Sequence, residues 1–328
     1  MSGLQIGPLL STCIDACQRG CTEVRRVQAS RSQNSLSVEL KDASDPRSAL
    51  TEADEAAHVA IVGGLRAEWG SDLLIVGEED GDEKLESKIA SRTFAPFRRD
   101  MLEDDIGETA EIDPSEITIF VDPLDGTREF VEERLENCQV LVGIAIGGEA
   151  VAGAIGIPFP AGNLDVEPTI VYGMSHVGSG LIGSPLTRGP FPLDHHIDGI
   201  KYPRPHHATG DSSVPLMVAC REIVVRKFHG STVVYGGAGN KILGTALGEV
   251  VCSIQHKVGG PWDLCAPQAV LKAMGGQMTN LFGEEIDFRD SNCGEKGYLA
   301  STPGSEDTFH ESLVAVIGAL PEVQAHRK

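Results

Sequence analysis

The chain is 328 residues long, with 48 acidic and 27 basic side chains, a formal net charge of −21 and 41% hydrophobic residues. That length buries a large core and suits two lobes. The charge excludes a chain that holds nucleic acid or an anionic membrane by bulk electrostatics, and suits one that gathers cations.

No run approaches the length of a membrane-spanning helix. Residues 1–10 lack a basic stretch followed by an apolar core, so no secretory signal is read there. The eight cysteines show no disulfide-scaffold spacing, which favours a reducing, cytoplasmic setting.

Leu10, Cys13, Ile14, Cys17, Cys21, Val24 and Val27 recur at helical spacing and predict an opening amphipathic helix. Cys13, Cys17 and Cys21 share its apolar face, where thiols act as small hydrophobes. Residues 36–40 read as a strand. Thr51, with Asp54 three residues on, reads as the capped start of a helix running to Trp69. A second apolar run, 73–76, ends in Gly77-Glu78-Glu79-Asp80. Acids at the carboxyl end of a strand lie where open α/β sheets place ligands. Residues 81–115 are charged and poorly periodic, and read as a surface excursion.

Ile117, Ile119, Phe120 and Val121 predict a buried strand that Pro123 stops and Gly126 turns. Asp122 and Asp125 therefore leave the strand end close together. Such carboxylates repel unless a cation lies between them, and a hard divalent ion takes oxygen ligands. A plain Asp-Pro turn with solvated carboxylates has the same pattern. A calcium loop fails at Leu124, Gly126 and Thr127. An aspartyl-phosphate enzyme needs aspartate where Pro123 stands, and the Gly-Lys-Ser/Thr ending of a P-loop is missing. A metal site without a protein nucleophile is what remains.

Runs 140–146 and 151–157, separated by Gly147-Gly148-Glu149-Ala150, predict a hairpin. Pro158, Pro160 and Gly162 mark a lobe boundary, giving lobes 1–158 and 159–328. Residues 162–213 read as surface loop, including His195-His196 and His206-His207. Strands are predicted at 216–219 and 232–235. Gly236-Gly237-Ala238-Gly239-Asn240-Lys241 then opens a helix through Leu247, presenting backbone N–H groups and one ammonium to anions. A strand at 250–254 follows. Asp263 reads as the cap of a helix to Met274 with Gly275 as its stop. A hairpin at 278–288, a strand at 297–301 and a helix at 308–320 complete the pattern.

Gly77-Glu78-Glu79, Asp122-Pro123-Leu124-Asp125-Gly126-Thr127 and Trp262-Asp263-Leu264-Cys265-Ala266-Pro267 resemble, in order, three acidic motifs of a phosphatase superfamily. This is the lithium-sensitive, magnesium-dependent superfamily of inositol monophosphatases, inositol polyphosphate 1-phosphatases, fructose-1,6-bisphosphatases and 3′(2′),5′-bisphosphate nucleotidases. The resemblance extends over nearly the whole chain. Segments 121–128, 143–154, 236–242 and 262–267 are most similar to the bisphosphate nucleotidases, which act on adenosine 3′,5′-bisphosphate.

The resemblance implies a layered α/β (α+β) sugar-phosphatase fold, αβαβα in two lobes, working as a monomer or homodimer with two or three Mg2+. It implies removal of the 3′-phosphate of adenosine 3′,5′-bisphosphate, and also of its 5′-phosphosulfate analogue. Inositol polyphosphate 1-phosphatase activity, or a silent nucleotide or metal sensor, are the alternatives. Glu78, Asp122 and the Leu124 carbonyl would hold one magnesium, and Asp122, Asp125 and Asp263 another. Asp54, paired with Thr127, would take a proton from the attacking water. N–H groups of Gly126 and Thr127 would receive phosphate oxygens, and Gly237 and Lys241 would lie against the nucleotide's other phosphate and sugar. One segment departs: where the nucleotidases show a Ser-Arg-Ser-His-like stretch, the chain reads Ala219-Cys220-Arg221-Glu222. Arg221 keeps an anion contact there and the histidine is gone.

Overall fold

The computed structural model describes residues 3–31, 38–40, 49–70, 72–102, 111–175, 177–186, 196–197, 200–201, 206–210, 212–228, 231–303 and 307–327. Helix α1 (Ile6–Ser30) buries Leu9, Leu10, Cys13, Ile14, Cys17, Cys21 and Val24, the face expected from their spacing. Cys17 Sγ donates to the Ala154 carbonyl at 3.4 Å. Burial pushes the thiols of Cys13, Cys17 and Cys21 far up, so the stripe is unreactive packing.

Strands β1 (Val38–Leu40) and β2 (Ala49–Thr51) form an antiparallel pair ahead of α2 (Glu52–Trp69). Next come β3 (Leu74–Gly77), α3 (Glu83–Ala90), β4 (Ile117–Asp125), α4 (Thr127–Val131), β5 (Gln139–Ile146) and β6 (Glu149–Ile157). Strands β7 (Thr169–Met174) and β8 (Gly178–Gly183) complete a six-stranded sheet in the order β3-β4-β5-β6-β7-β8. Only its β3–β4 pair is parallel. The helix within 81–115 was not expected there, and residues 103–110 lie outside the described ones.

After two short strands, β9 (His196–Ile197) and β10 (Ile200–Lys201), the chain builds a second sheet. Its members are β11 (His206–Thr209), β12 (Ser231–Val234), β13 (Cys252–Gln255), β14 (Gln277–Thr279) and β15 (Tyr298–Ser301), in the order β12-β11-β13-β15-β14. Helices α5 (Pro215–Phe228), α6 (Ala238–Ala246), α7 (Cys265–Ala273), α8 (Asp307–Gly318) and α9 (Pro321–His326) complete the chain.

The layers alternate as αβαβα. Alternate residues of β5 decide this locally: Val140, Val142 and Ile144 join the core under α1 and α2, while Leu141 joins α6 and α7 on the other face. Leu216, Cys220, Leu313 and Val323 cover the far face of the second sheet at Ile254 and Leu299. Gly143, Gly153 and Gly173 lie side by side across three strands. A Cβ on each would come within 2.5, 2.7 and 2.8 Å of Ala266 N, Ala266 Cα and Val270 Cα. This glycine row lets α7 lie directly on the sheet, which sets the height of its N-terminus above β4.

Three readings are corrected. Residues 216–219 are helical, because Leu216, Met217, Cys220, Ile223 and Val224 recur at helical spacing and are all buried. Segment 162–213 is not loop throughout. It carries β7 and β8 of the first sheet and β11 of the second, so position 158 falls inside the first sheet's run of strands. His206 and His207 belong to β11, and the buried His207 ring shares a 2.8 Å hydrogen bond between Nε2 and Thr232 Oγ1. His195 lies outside the described residues. Of the hairpin at 278–288, only β14 forms, and it pairs with β15.

Candidate metal centre and cleft

Parallel pairing of β3 with β4 aligns Gly77 with Val121, so Glu78 leaves the end of β3 beside Asp122, where β4 shifts register against β5 before ending at Asp125. Gly77 N–H donates to Asp80 Oδ2 at 2.8 Å, and Arg66 holds the other Asp80 oxygen at 2.8 Å. That bracket fixes the turn on which Glu78 sits. Past Asp122, the Leu124 N–H donates back to Asp122 Oδ1 at 3.0 Å. Gly126, at φ 85° and ψ 37°, turns the chain into α4.

Asp263 arrives from α7's side of the sheet, its Oδ2 accepting from Gly260 N–H at 2.9 Å. Asp122, Asp125 and Asp263, all buried, offer one oxygen each within 4.8 Å of one another. Burial, then the charges of Glu78, Asp125 and Asp263, hold the Asp122 carboxyl well above its usual range. Asp263 is pushed well up by burial, Asp125 and Glu78. Asp125 is raised by burial, with Lys241 and the N–H groups of 238–240 opposing. Three buried carboxylates with Glu78 beside them form an all-oxygen donor set. It fits a hard divalent cation, which relieves this repulsion.

Asp54 lies on the third residue of α2 in a full capping box: its Oδ2 accepts Thr51 N–H at 2.9 Å and the Thr51 hydroxyl at 2.6 Å. Its Oδ1 is left to Thr127 Oγ1, 2.8 Å away, which also lies 3.0 Å from the Leu124 carbonyl. Capping and pairing with Thr127 thus use different oxygens of one carboxylate.

The second sheet's contribution docks on Asp125. Ala238 N–H donates to its Oδ1 at 3.0 Å and Gly239 N–H to its Oδ2 at 2.8 Å. The glycine-rich turn is therefore held against the acids, with the buried Lys241 ammonium donating to the Gly237 carbonyl at 2.6 Å. Asp125, Gly237, Ala238 and Lys241 line a cleft of about 720 Å3 together with Glu78, Gly126, Thr127, Tyr235 and His256. At Gly237, φ is 70° and an added Cβ would come within 2.6 Å of Asp125 Oδ2. Gly237→Ala should therefore lower kcat/KM by about 10–100-fold, since misplacement by an ångström has that effect; steady-state kinetics would measure it.

Two features were not anticipated. Arg221, expected to face an anion, lies on α5 and donates to the carbonyls of Gly210 and Ser212 at 3.2 and 2.7 Å; it fastens the loop after β11. Glu129 takes a two-pronged bond from Arg134, at 2.6 and 2.7 Å, and one from Asn137 at 2.9 Å. Asn137 in turn accepts from Asn240 at 2.9 Å. This bridge ties α4 to the glycine turn, and in sequence Glu129 shows only as a first-turn acid.

Among the described residues, no helix is long and apolar enough to cross a membrane. The 3′(2′),5′-bisphosphate nucleotidase 1 of Dictyostelium discoideum is 30% identical over 291 residues, 87% of this chain and 88% of that protein. The human protein of the same name is 30% identical over 243 residues, 73% of each. The crystal structure of extragenic suppressor protein suhB from Bartonella henselae shares the fold. Its TM-score is 0.65 at 18% identity, over 95% of this chain and 98% of that one. The model of the inositol monophosphatase family matches residues 8–318, and with the acids converging as its motifs require, the chain belongs to the inositol monophosphatase family.

Proposed function

We propose that the protein is a magnesium-dependent phosphomonoesterase that removes the 3′-phosphate of adenosine 3′,5′-bisphosphate, giving AMP and phosphate, and that also accepts the 5′-phosphosulfate analogue. The observation that carries this is the meeting of Asp122, Asp125 and Asp263 within 4.8 Å, beside Glu78 and next to the Asp54–Thr127 pair. The nucleotide assignment draws on the relatives named 3′(2′),5′-bisphosphate nucleotidase. Eight unpaired cysteines are in keeping with a cytoplasmic setting.

Glu78, Asp122, the Leu124 carbonyl, Asp125 and Asp263 would hold two or three Mg2+. When bound, the ions neutralise phosphate charge and acidify a water. The water passes its proton to Thr127 Oγ1 as that hydroxyl gives its own to Asp54 Oδ1. Attack in line on phosphorus then breaks the bond to the 3′-oxygen, which keeps the bonding pair and takes a proton from solvent water, with no covalent enzyme intermediate. Gly126 and Thr127 N–H groups receive phosphate oxygens; Gly237 and Lys241 face the rest of the nucleotide.

Adenosine 3′,5′-bisphosphate, an inositol bisphosphate and fructose 1,6-bisphosphate, assayed side by side with Mg2+, test the reading. The nucleotide should have the highest kcat/KM. If an inositol bisphosphate wins, the nucleotide assignment falls and the phosphatase stands; if none turns over, the sensor alternative replaces both.

A further inference from the structure

We infer that His326, on the C-terminal helix α9, is a positioning residue that sets how the cleft loop 255–259 meets the part of the substrate remote from the scissile phosphate. The inference rests on the phosphatase reading above. The loop's Gln255, His256, Lys257, Val258 and Gly259 all line the cleft, and the chain continues from it into Asp263. His326 Nε2 lies 3.1 Å from the His256 carbonyl and 3.0 Å from the Glu295 carbonyl. Both partners are acceptors only, so Nε2 carries the proton and donates to both.

One ring nitrogen thereby joins the cleft loop to the turn 293–296. Two other ties link the same segments: Val258 N–H donates to the Gly294 carbonyl at 3.0 Å, and Lys257 pairs with Glu295 at 2.6 Å. The ion pair is half exposed on both sides, and such pairs hold little by themselves. Helix α9 is itself anchored. Val323 is fully buried in the core, and Arg327 stacks 5.1 Å above Phe282 and pairs with Glu284 at 2.6 Å. His326 is therefore a rigid post under a loop whose outer face is the cleft wall.

His326→Ala and His326→Gln, which keeps a donor, would be compared with the wild type on two substrates. One is adenosine 3′,5′-bisphosphate; the other is p-nitrophenyl phosphate, which has no remote group. The alanine variant should raise KM for the bisphosphate about 5–10-fold, with kcat and both constants for the small probe changed less than about twofold. Amide exchange at Val258 should quicken, and His326→Gln should restore both. An unchanged KM, or equal losses on both substrates with a lower Tm and no rescue by glutamine, overturns the positioning role. Should the wild type leave the bisphosphate untouched, the function reading fails separately. Val258 exchange then decides alone, and a rate equal in wild type and alanine variant overturns the inference.

Discussion

Replacing Asp54 by asparagine should lower kcat by about 10²–10⁴-fold, the usual worth of a general base, while calorimetric Mg2+ affinity stays near wild type. The carboxylate divides its work by oxygen: Oδ2 holds Thr51 at the helix start and Oδ1 faces Thr127. Asparagine keeps an oxygen for the Thr51 N–H and so keeps the cap. What it turns toward Thr127 is an amide that takes no proton. A loss in kcat without a loss of fold is the expected signature, read by steady-state kinetics beside a thermal melt. A variant with near-normal kcat would remove Asp54 from the mechanism.

Asp122→Asn has the second large effect, and it has opposite signs on two measurements. Activity should fall by about 10³-fold or more, since a lost ligand removes several kcal/mol of charge stabilisation from the transition state. The metal-free protein should nevertheless melt higher, by about 1–2 °C per kcal/mol of repulsion relieved in a chain of this length. The reason is the raised pKa of Asp122, Asp125 and Asp263: burial disfavours the ionised form of all three, and repulsion by neighbouring acids adds to it at Asp122 and Asp263. A carboxyl raised on folding binds protons more readily in the native state. Its contribution is therefore most favourable below the unfolded value, about 3.9, and declines as pH rises through the folded pKa. Metal-free wild type should lose this contribution toward neutral pH, and the asparagine variant should lose less. Mg2+ should flatten the wild-type curve, because a bound cation favours the ionised carboxylates. Differential scanning calorimetry across pH, with and without Mg2+, reads all three.

The parts of this molecule legible in its sequence are those where local chemistry and global fold agree. The capping box at Thr51 and Asp54 and the glycine turn into α6 are written in a few neighbouring residues, and each formed as read. The strand expected to stop at Pro123 instead runs on to Asp125 through a shift of register against β5. Segment 216–219 misled because four apolar-leaning residues suit a short strand as well as a helix turn. Only the longer recurrence to Val224 separates the two. β7 hid in a stretch dominated by Gly, Pro and His, where the β-branched run Thr169-Ile170-Val171 was the available signal. The partners of Arg221 and Glu129 lie five to eleven residues away across turns and loops, at separations that neither the helical nor the strand period reads. At the metal centre the acids were legible by motif, whereas their meeting depends on the glycine row beneath α7, a property of three strands in register.

Asp125 accepts one N–H from Ala238 and another from Gly239, and Asp263 lies farther along still. A nascent chain that has delivered only its first sheet thus carries acids but no finished cation trap. High contact order of this kind delays assembly, so tight ion capture should appear last during synthesis. Until then, the incomplete chain has little means of competing for a divalent cation.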